Sequence, residues 1–513
     1  MPEELIQKMK KNVPSQWKAC FASVMIVGLI AHLYKLTNWL PNWDSLVFRY
    51  DPQNMVALGR WFLPIVCAPS SFYDLPWLAG LLALIFHGLG ALCICAMFRV
   101  QKNITAILIG ALVITFPTVT SVLMYNYVAD GYAIAFFLSC LAAMVLVGEK
   151  PRYAVSVICI ALSAGIYQAY VTVTIMLLLC YLMIETIREG ADAGKLIGKS
   201  LKILATGIFG MALYYLVLKV VLKLTDRALL EYQGISSAFS LAEINIRGIL
   251  YTIKHSFTDY FFDFSDGVTV FGLLNVFILA ATAILYLWEI IRNRTSPIRW
   301  ILLAAYAIFL PIGASALALI NSDVDYHNLM KMGFFVFYLF LILQYEKSEF
   351  RRVLCNQIKA WTVLIMVALL VFNNIVIANV SYHKLNMAYE KSYGTLIRIA
   401  DRIEQTEGAD ACDRILVIGA LENSEAYSAN LPPDMTGTTD GYILRADDEV
   451  VGQSVLCSAL NDYCGTNYTF VAGAEKTALL EKLTDGSIGI WPSSNSILIV
   501  DNVIVIKLGD EVR

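Results

Sequence analysis

The chain has 513 residues, of which 58% are hydrophobic and only 15% charged, with a mean hydropathy of +0.64. A soluble protein of this length carries about a quarter charged residues, so the composition excludes a soluble globular enzyme and makes the lipid bilayer the first expected partner; no nucleic-acid partner is expected. The net charge of −3 has meaning only once it is divided between the two sides of a membrane.

Apolar runs of about 20 residues, each long enough to cross roughly 30 Å of hydrocarbon, recur along the chain. Hydropathy predicts eleven: 19–36, 77–98, 103–123, 130–147, 152–166, 168–187, 201–222, 268–290, 299–319, 329–345 and 359–379. The first follows the basic start QKMKKNVPSQWK and has no small-residue cleavage site, so it is read as a retained span. The fifth and sixth are the weakest, because their combined run is too long for one span and short for two. A tight turn at residues 166–169 keeps them as a pair. Orientation follows from Lys and Arg in the short loops. With the N terminus cytoplasmic, the segments 1–18, 99–102, 148–153, 188–202, 289–299 and 346–359 hold 19 Lys or Arg, while the opposite loops hold six. The expected architecture is an all-α polytopic membrane bundle over 1–379 with outer loops 37–76, 223–267 and 320–328.

Residues 380–513 are different in character, and a small extracytoplasmic α/β domain is predicted there. A helix near 384–406 carries Leu396, Ile399 and Ile403 on one stripe. RILVIGAL (414–421) and YTFVAG (468–473) read as strands, and AEKTALLEKLTDG (474–486) as a helix closed by Gly486. SILIVDNVIVIKL (496–508) reads as two strands around Asp501-Asn502, a turn-forming pair. Of the eleven cysteines, those up to Cys355 fall mostly in spans, as small hydrophobes. Cys412, Cys457 and Cys464 lie in the tail, where two of them are able to pair if the tail is outside.

The outer loops are where chemistry is expected. Loop 37–76 is long without a spanning run, and loops of that kind are usually functional or disordered; its Trp39, Trp43, Phe48, Tyr50 and Trp61 argue against disorder. DPQNMVALGRWF within it reads as a short interfacial helix with Asp51 at its N-cap. A carboxylate here, Asp44 or Asp51, has the chemistry of a general base toward a hydroxyl nucleophile, and Arg60 that of a planar fork on a leaving phosphate. The plainer alternative is that Asp51 caps a helix and Arg60 snorkels to headgroups. Lys331, just inside a predicted span, is a functional candidate by its position alone or another snorkelling cation. His327 beside it is a proton carrier or a polar loop residue. Asp130 either contacts sugar hydroxyls or caps the next helix, Tyr167 and Gln168 either line a cavity or finish two helices, and Arg247 offers a second phosphate contact. No Walker, H-E-x-x-H or G-x-S-x-G sequence is present. No cytoplasmic segment is long enough for a nucleotide-binding domain, so any donor must be usable from the outer face or within the membrane. No metal or other cofactor is predicted, since arginine and lysine alone neutralise a leaving phosphate, although the outer carboxylates make a divalent metal feasible.

Four stretches in this order, NWDSLVFRYDPQNMVALGRWF, SFYDLPWLAGLL, LSAGIYQAYVTV and WPSSNSILIVDNVIVIKL, together resemble bacterial glucosyltransferase family II, multi-span membrane enzymes of the GT-C class. The resemblance implies a GT-C-like bundle that takes a sugar, typically glucose, from undecaprenyl phosphate and adds it to a surface polysaccharide outside the cell membrane. In that class the catalytic carboxylate lies in the first outer loop, which points to Asp44 first and Asp51 second. The long outer tail departs from the shorter members that modify O antigen and suggests a wall glycan or teichoic acid as acceptor. A flippase or transporter of lipid-linked saccharides, a glycan polymerase and a glycan-binding assembly protein are the rival readings.

Overall fold

The structure, a computed structural model, describes the chain except for residues 1–2, 5–12, 42–43, 46–53, 72, 231–244, 263, 265–266, 294, 321–323, 325, 348–353, 420–448, 484–487 and 511–513. Two compact units emerge. One takes in residues up to Thr37 and between Pro52 and Asn379; the other takes in those from Asn38 to Asp51 and most of the chain from Val380 onward.

The first unit is a helical bundle: α1 (Ser15–Thr37), the short α2 (Leu63–Cys67), α3 (Pro76–Met97), α4 (Asn103–Thr115), α5 (Pro117–Met124), α6 (Ala129–Val147), α7 (Tyr153–Ile166), α8 (Val171–Ile187), α9 (Ala193–Leu224), α10 (Ile246–Phe261), α11 (Val270–Arg292), α12 (Pro297–Ala314) and α13 (Phe335–Glu346). It also includes the first part of α14 (Leu354–Glu404). Among the described residues nine helices are long and apolar enough to cross a membrane, and α4 with α5 makes a tenth if that bent pair is one span. Every predicted span contains a helix, but eleven crossings are reached only by including α7, whose 14 residues reach about 21 Å at 1.5 Å per residue and fall short of the hydrocarbon thickness. The 43° bend between α4 and α5 is a proline effect: Pro117 has no amide hydrogen and drives Phe116 out of helical geometry, to φ −58° and ψ 134°.

Three spans open on 3-10 turns: Asn126–Val128 before α6, Gln168–Tyr170 before α8 and Asn328–Phe334 before α13. The residues of all three turns are largely buried within the protein, the surroundings in which irregular backbone near a membrane is tolerated. Elsewhere α4 and α13 close each other's ends. The Glu346 carboxylate accepts from the backbone N–H of Gln101 (2.9 Å) and Lys102 (3.4 Å) and from Thr105 Oγ1 (2.6 Å), and Lys102 Nζ donates to the carbonyls of Tyr345 (2.8 Å) and Glu346 (2.7 Å). An anion thus sits at one helix N terminus and a cation at another's C terminus, as both helix dipoles favour.

The second unit contains a four-stranded sheet built from β1 (Arg414–Ile418), β2 (Thr469–Phe470), β3 (Ile497–Val500) and β4 (Val503–Lys507), in the order β2-β1-β4-β3. β1 runs parallel to β2 and β4, and β3 pairs antiparallel with β4. The β3–β4 turn is made by Asp501 and Asn502, both at positive φ (49° and 61°), the backbone sign that a two-residue hairpin matched to strand twist requires. Period-two alternation splits the strands between two faces. Ile415, Val417, Ile504 and Ile506 join Leu396, Ile399 and Ile403 of α14 and Val455, Leu456 and Leu460 of α15 (Glu449–Cys464) in one core; Leu416, Ile418, Val503 and Val505 join Leu479 of α16 (Ala474–Lys482) in another. The predicted stripe is therefore a core face, but not of a separate helix: α14 continues unbroken from the last span, because nothing between Asn379 and Lys384 breaks a helix. Gly486 lies outside the described residues. Trp39 packs edge-on against Tyr389, ring centroids 5.9 Å apart, and also meets Tyr463. Cys412, Cys457 and Cys464 are free thiols, and Cys457 donates to the Tyr468 carbonyl at 2.9 Å.

Candidate active site

Arg60 is set in place by the backbone before it. The short helix Asn54–Ala57 ends at Gly59, whose φ of +78° allows Gly59 N–H to reach the Val56 carbonyl (3.0 Å) and Arg60 N–H the Met55 carbonyl (2.8 Å), a Schellman closure. Two residues on, Phe62 N–H donates to the Gly165 carbonyl at 2.7 Å, fastening the segment to the end of α7. The half-buried guanidinium then lies over the Tyr167 ring, 4.7 Å from its centroid, and Nη1 donates to Tyr132 Oη at 3.1 Å. Tyr132 and Tyr167 stack at 4.7 Å and 10°, with Tyr170 6.2 Å and 6.0 Å from them.

Gln168 secures the same segment from the other side. Its Nε2 donates to the Leu58 carbonyl and to Tyr214 Oη, each at 3.0 Å, and Tyr214 Oη donates to the Gly59 carbonyl at 3.1 Å. The expected pair Tyr167 and Gln168 thus stands directly beside the expected Arg60, one as its platform and the other as its anchor.

Lys331 is fully buried in the 3-10 segment, at a non-helical φ/ψ of −88° and 17°, with Nζ 5.9 Å from the Tyr260 ring centroid. The segment is tied to α5 by Thr118 Oγ1, which donates to the Asn328 carbonyl (2.8 Å), and by Asn328 Nδ2, which donates to Ser121 Oγ (3.2 Å). His327 caps its start, and the charges of both Lys331 and Arg60 act on it. Burial, reinforced by those two cations, pushes the His327 imidazole down to about 4, so it is neutral at pH 7. Two cations, a neutral histidine and a group of tyrosines therefore form one neighbourhood able to hold an anionic, polar ligand.

The remaining candidates are placed differently. Asp130, in the first turn of α6, is buried and accepts from Gly131 N–H (2.9 Å) and from the Cys67 thiol (3.7 Å), the bonding of a carboxylate at a helix start. Arg247 is exposed near the start of α10. Asp44 is half-buried and belongs to the second unit; Asp51 lies outside the described residues. Tyr132, Tyr214 and Tyr260 were not singled out by the sequence, where they look like ordinary interfacial aromatics. Nor was Lys35, wholly buried in the last turn of α1 and acted on by the charge of Asp74. Among the described residues no group of three His, Cys, Asp or Glu side chains is arranged to hold a metal ion.

A bundle in which nine of the described helices are long and apolar enough to cross a membrane is that of a multi-pass membrane protein. Residues 33–345, more than half of the chain, match the family described as glucosyl transferase GtrII, and the chain belongs to that family. It is therefore a glycosyltransferase by family, and the match reaches from the end of α1 to the end of α13. No curated protein and no solved structure matches it.

Proposed function

We propose that the protein transfers a hexose, glucose first, from undecaprenyl phosphate to a surface polysaccharide or teichoic acid on the outer face of the bacterial cell membrane, as a GT-C enzyme. The N terminus is then cytoplasmic and the tail extracytoplasmic. The observation that carries this reading is the joint placement of Arg60, His327 and Lys331 beside the tyrosines: a leaving polyprenyl phosphate needs cations held in place before it forms, and a sugar ring is met by aromatic faces and hydroxyls.

The proposed reaction is a single displacement with inversion. Asp44, chosen on the family resemblance, removes the proton from an acceptor hydroxyl as its oxygen attacks the anomeric carbon. The bond from that carbon to the phosphate oxygen breaks, and polyprenyl phosphate leaves against Arg60 and Lys331, with Arg247 a further contact. A retaining route would need a nucleophilic carboxylate on the opposite face of the sugar. The test is transfer from synthetic polyprenyl-phosphate-glucose by purified protein in nanodiscs, with a surface-glycan extract as acceptor. Glucose incorporation supports the reading; passage of intact lipid-linked saccharide across the bilayer without cleavage would replace it with a flippase.

A further inference from the structure

Asn126 is 1% exposed, and neither its Oδ1 nor its Nδ2 has a hydrogen-bond partner. A buried amide without partners is among the costlier features a fold can retain, and an apolar side chain would fill the same space without that cost. Its position supplies a reason to keep it. Asn126 opens the 3-10 turn Asn126–Val128; five residues earlier Ser121 holds Asn328, and six residues later Tyr132 holds Arg60. The residue thus sits on a stretch tethered at one end to the Lys331 segment and at the other to the arginine. Orphaned polar atoms occur at the other two 3-10 turns as well, among them Tyr170 Oη, at the end of the turn before α8, and His327 Nδ1, at the start of the segment before α13. Unmatched buried donors or acceptors at each of the three turns are the pattern expected of groups reserved for a polyhydroxylated ligand.

We propose that Asn126 reads hydroxyl groups of the transferred hexose, with Tyr170 and His327 as companions, so that these three residues set sugar choice while Arg60 and Lys331 hold the phosphate. This rests on the glycosyltransferase reading above. A site built to hydrogen-bond a hydroxyl discriminates strongly against a sugar that misplaces it, because its buried polar groups are then left unpaired.

The test compares wild type with Asn126→Leu in donor kinetics and thermal unfolding, using polyprenyl-phosphate-linked glucose, galactose and mannose. The expected result is an unfolding temperature unchanged or raised, a kcat/KM for the preferred donor lower by about tenfold or more, and a narrowed ratio between preferred donor and epimers. If Asn126→Leu keeps the wild-type kcat/KM and epimer ratio, Asn126 only fills space or holds water, and the inference fails. Should the leucine variant not fold, Asn126→Asp, which keeps the size but removes the amide donor, is held to the same two kinetic criteria. Wild type that transfers no hexose from any of the three donors overturns the glycosyltransferase reading itself, an outcome distinct from an active wild type with an indifferent variant.

Discussion

The guanidinium of Arg60 lies 4.7 Å from the Tyr167 ring centroid while donating to Tyr132 Oη at 3.1 Å. Stacking and donation together need a flat cation, which a lysine ammonium is not. Arg60→Lys keeps the charge and loses the geometry. Its expected kcat/KM is lower on the order of a hundredfold, as for loss of one aligned donor to a developing anion, with the unfolding temperature little changed. A donor-transfer assay alongside thermal unfolding measures both.

Asp44, the proposed base, and Asp130 offer a comparison of chemistry with structure. Asp44→Asn is expected to lower turnover by about 10²- to 10⁴-fold, the range for removal of a general base, while the protein folds normally. Asp130→Asn places an amide where the carboxylate now accepts from Gly131 N–H and Cys67. It is expected to lower thermal stability, with turnover per folded enzyme kept within a few-fold. Equal losses of turnover in the two variants would remove Asp44 from the role of base.

Gly59 supports the arginine from behind. At φ +78° an added Cβ would lie 2.7 Å from both Gln168 Nε2 and Tyr214 Oη, so Gly59→Ala combines backbone strain with a clash. A destabilisation of about 1–3 kcal/mol is expected, with a loss of transfer as Arg60 moves. Gly190→Ala is the control: its φ is +73° but nothing lies within 4 Å of the new atom, so about 1 kcal/mol of strain is expected alone and transfer is unaffected. Chemical denaturation and transfer assays on the two variants make the comparison.

His327 predicts a pH dependence of stability. Its folded value is lowered from 6.5 to about 4, by burial first and then by Lys331 and Arg60. The unfolded chain therefore binds the proton more readily, and the stability this group contributes is complete above about 6.5 and is lost as pH falls toward 4. His327→Gln is expected to flatten the unfolding-temperature profile between those values. A variant profile as steep as wild type would show that other groups dominate that window.

What the sequence made legible was whatever depends on local pattern. Apolar runs located a helix at each predicted span, the Asp501-Asn502 pair located a hairpin, and the 3.6-residue stripe of Leu396, Ile399 and Ile403 located a core face. The turn at Tyr167-Gln168 was visible because two apolar runs met there without a gap. The 3-10 turns that open three of the helices were not, because hydropathy averages over a whole helix and is blind to a 3-10 turn at its start. Tyr214 escaped notice for a related reason: deep in α9 it is one aromatic among many, and only the approach of Gly59 and Gln168 makes it distinctive. The first outer loop was read as one segment, yet Trp39 packs with Tyr389 and Tyr463, contacts across hundreds of residues that no local pattern encodes.

The bond from Gln101 N–H to Glu346 joins positions 245 residues apart, and it sets an order of assembly. Helix α4 emerges from the ribosome early, but the carboxylate that accepts from the amides just ahead of it and from Thr105 is synthesised only after most of the bundle. At 5–20 residues per second that interval is about 10 to 50 s. A nascent chain stopped before Glu346 therefore lacks the acceptor for the amides of Gln101 and Lys102 and for Thr105, however many of its spans have already been made.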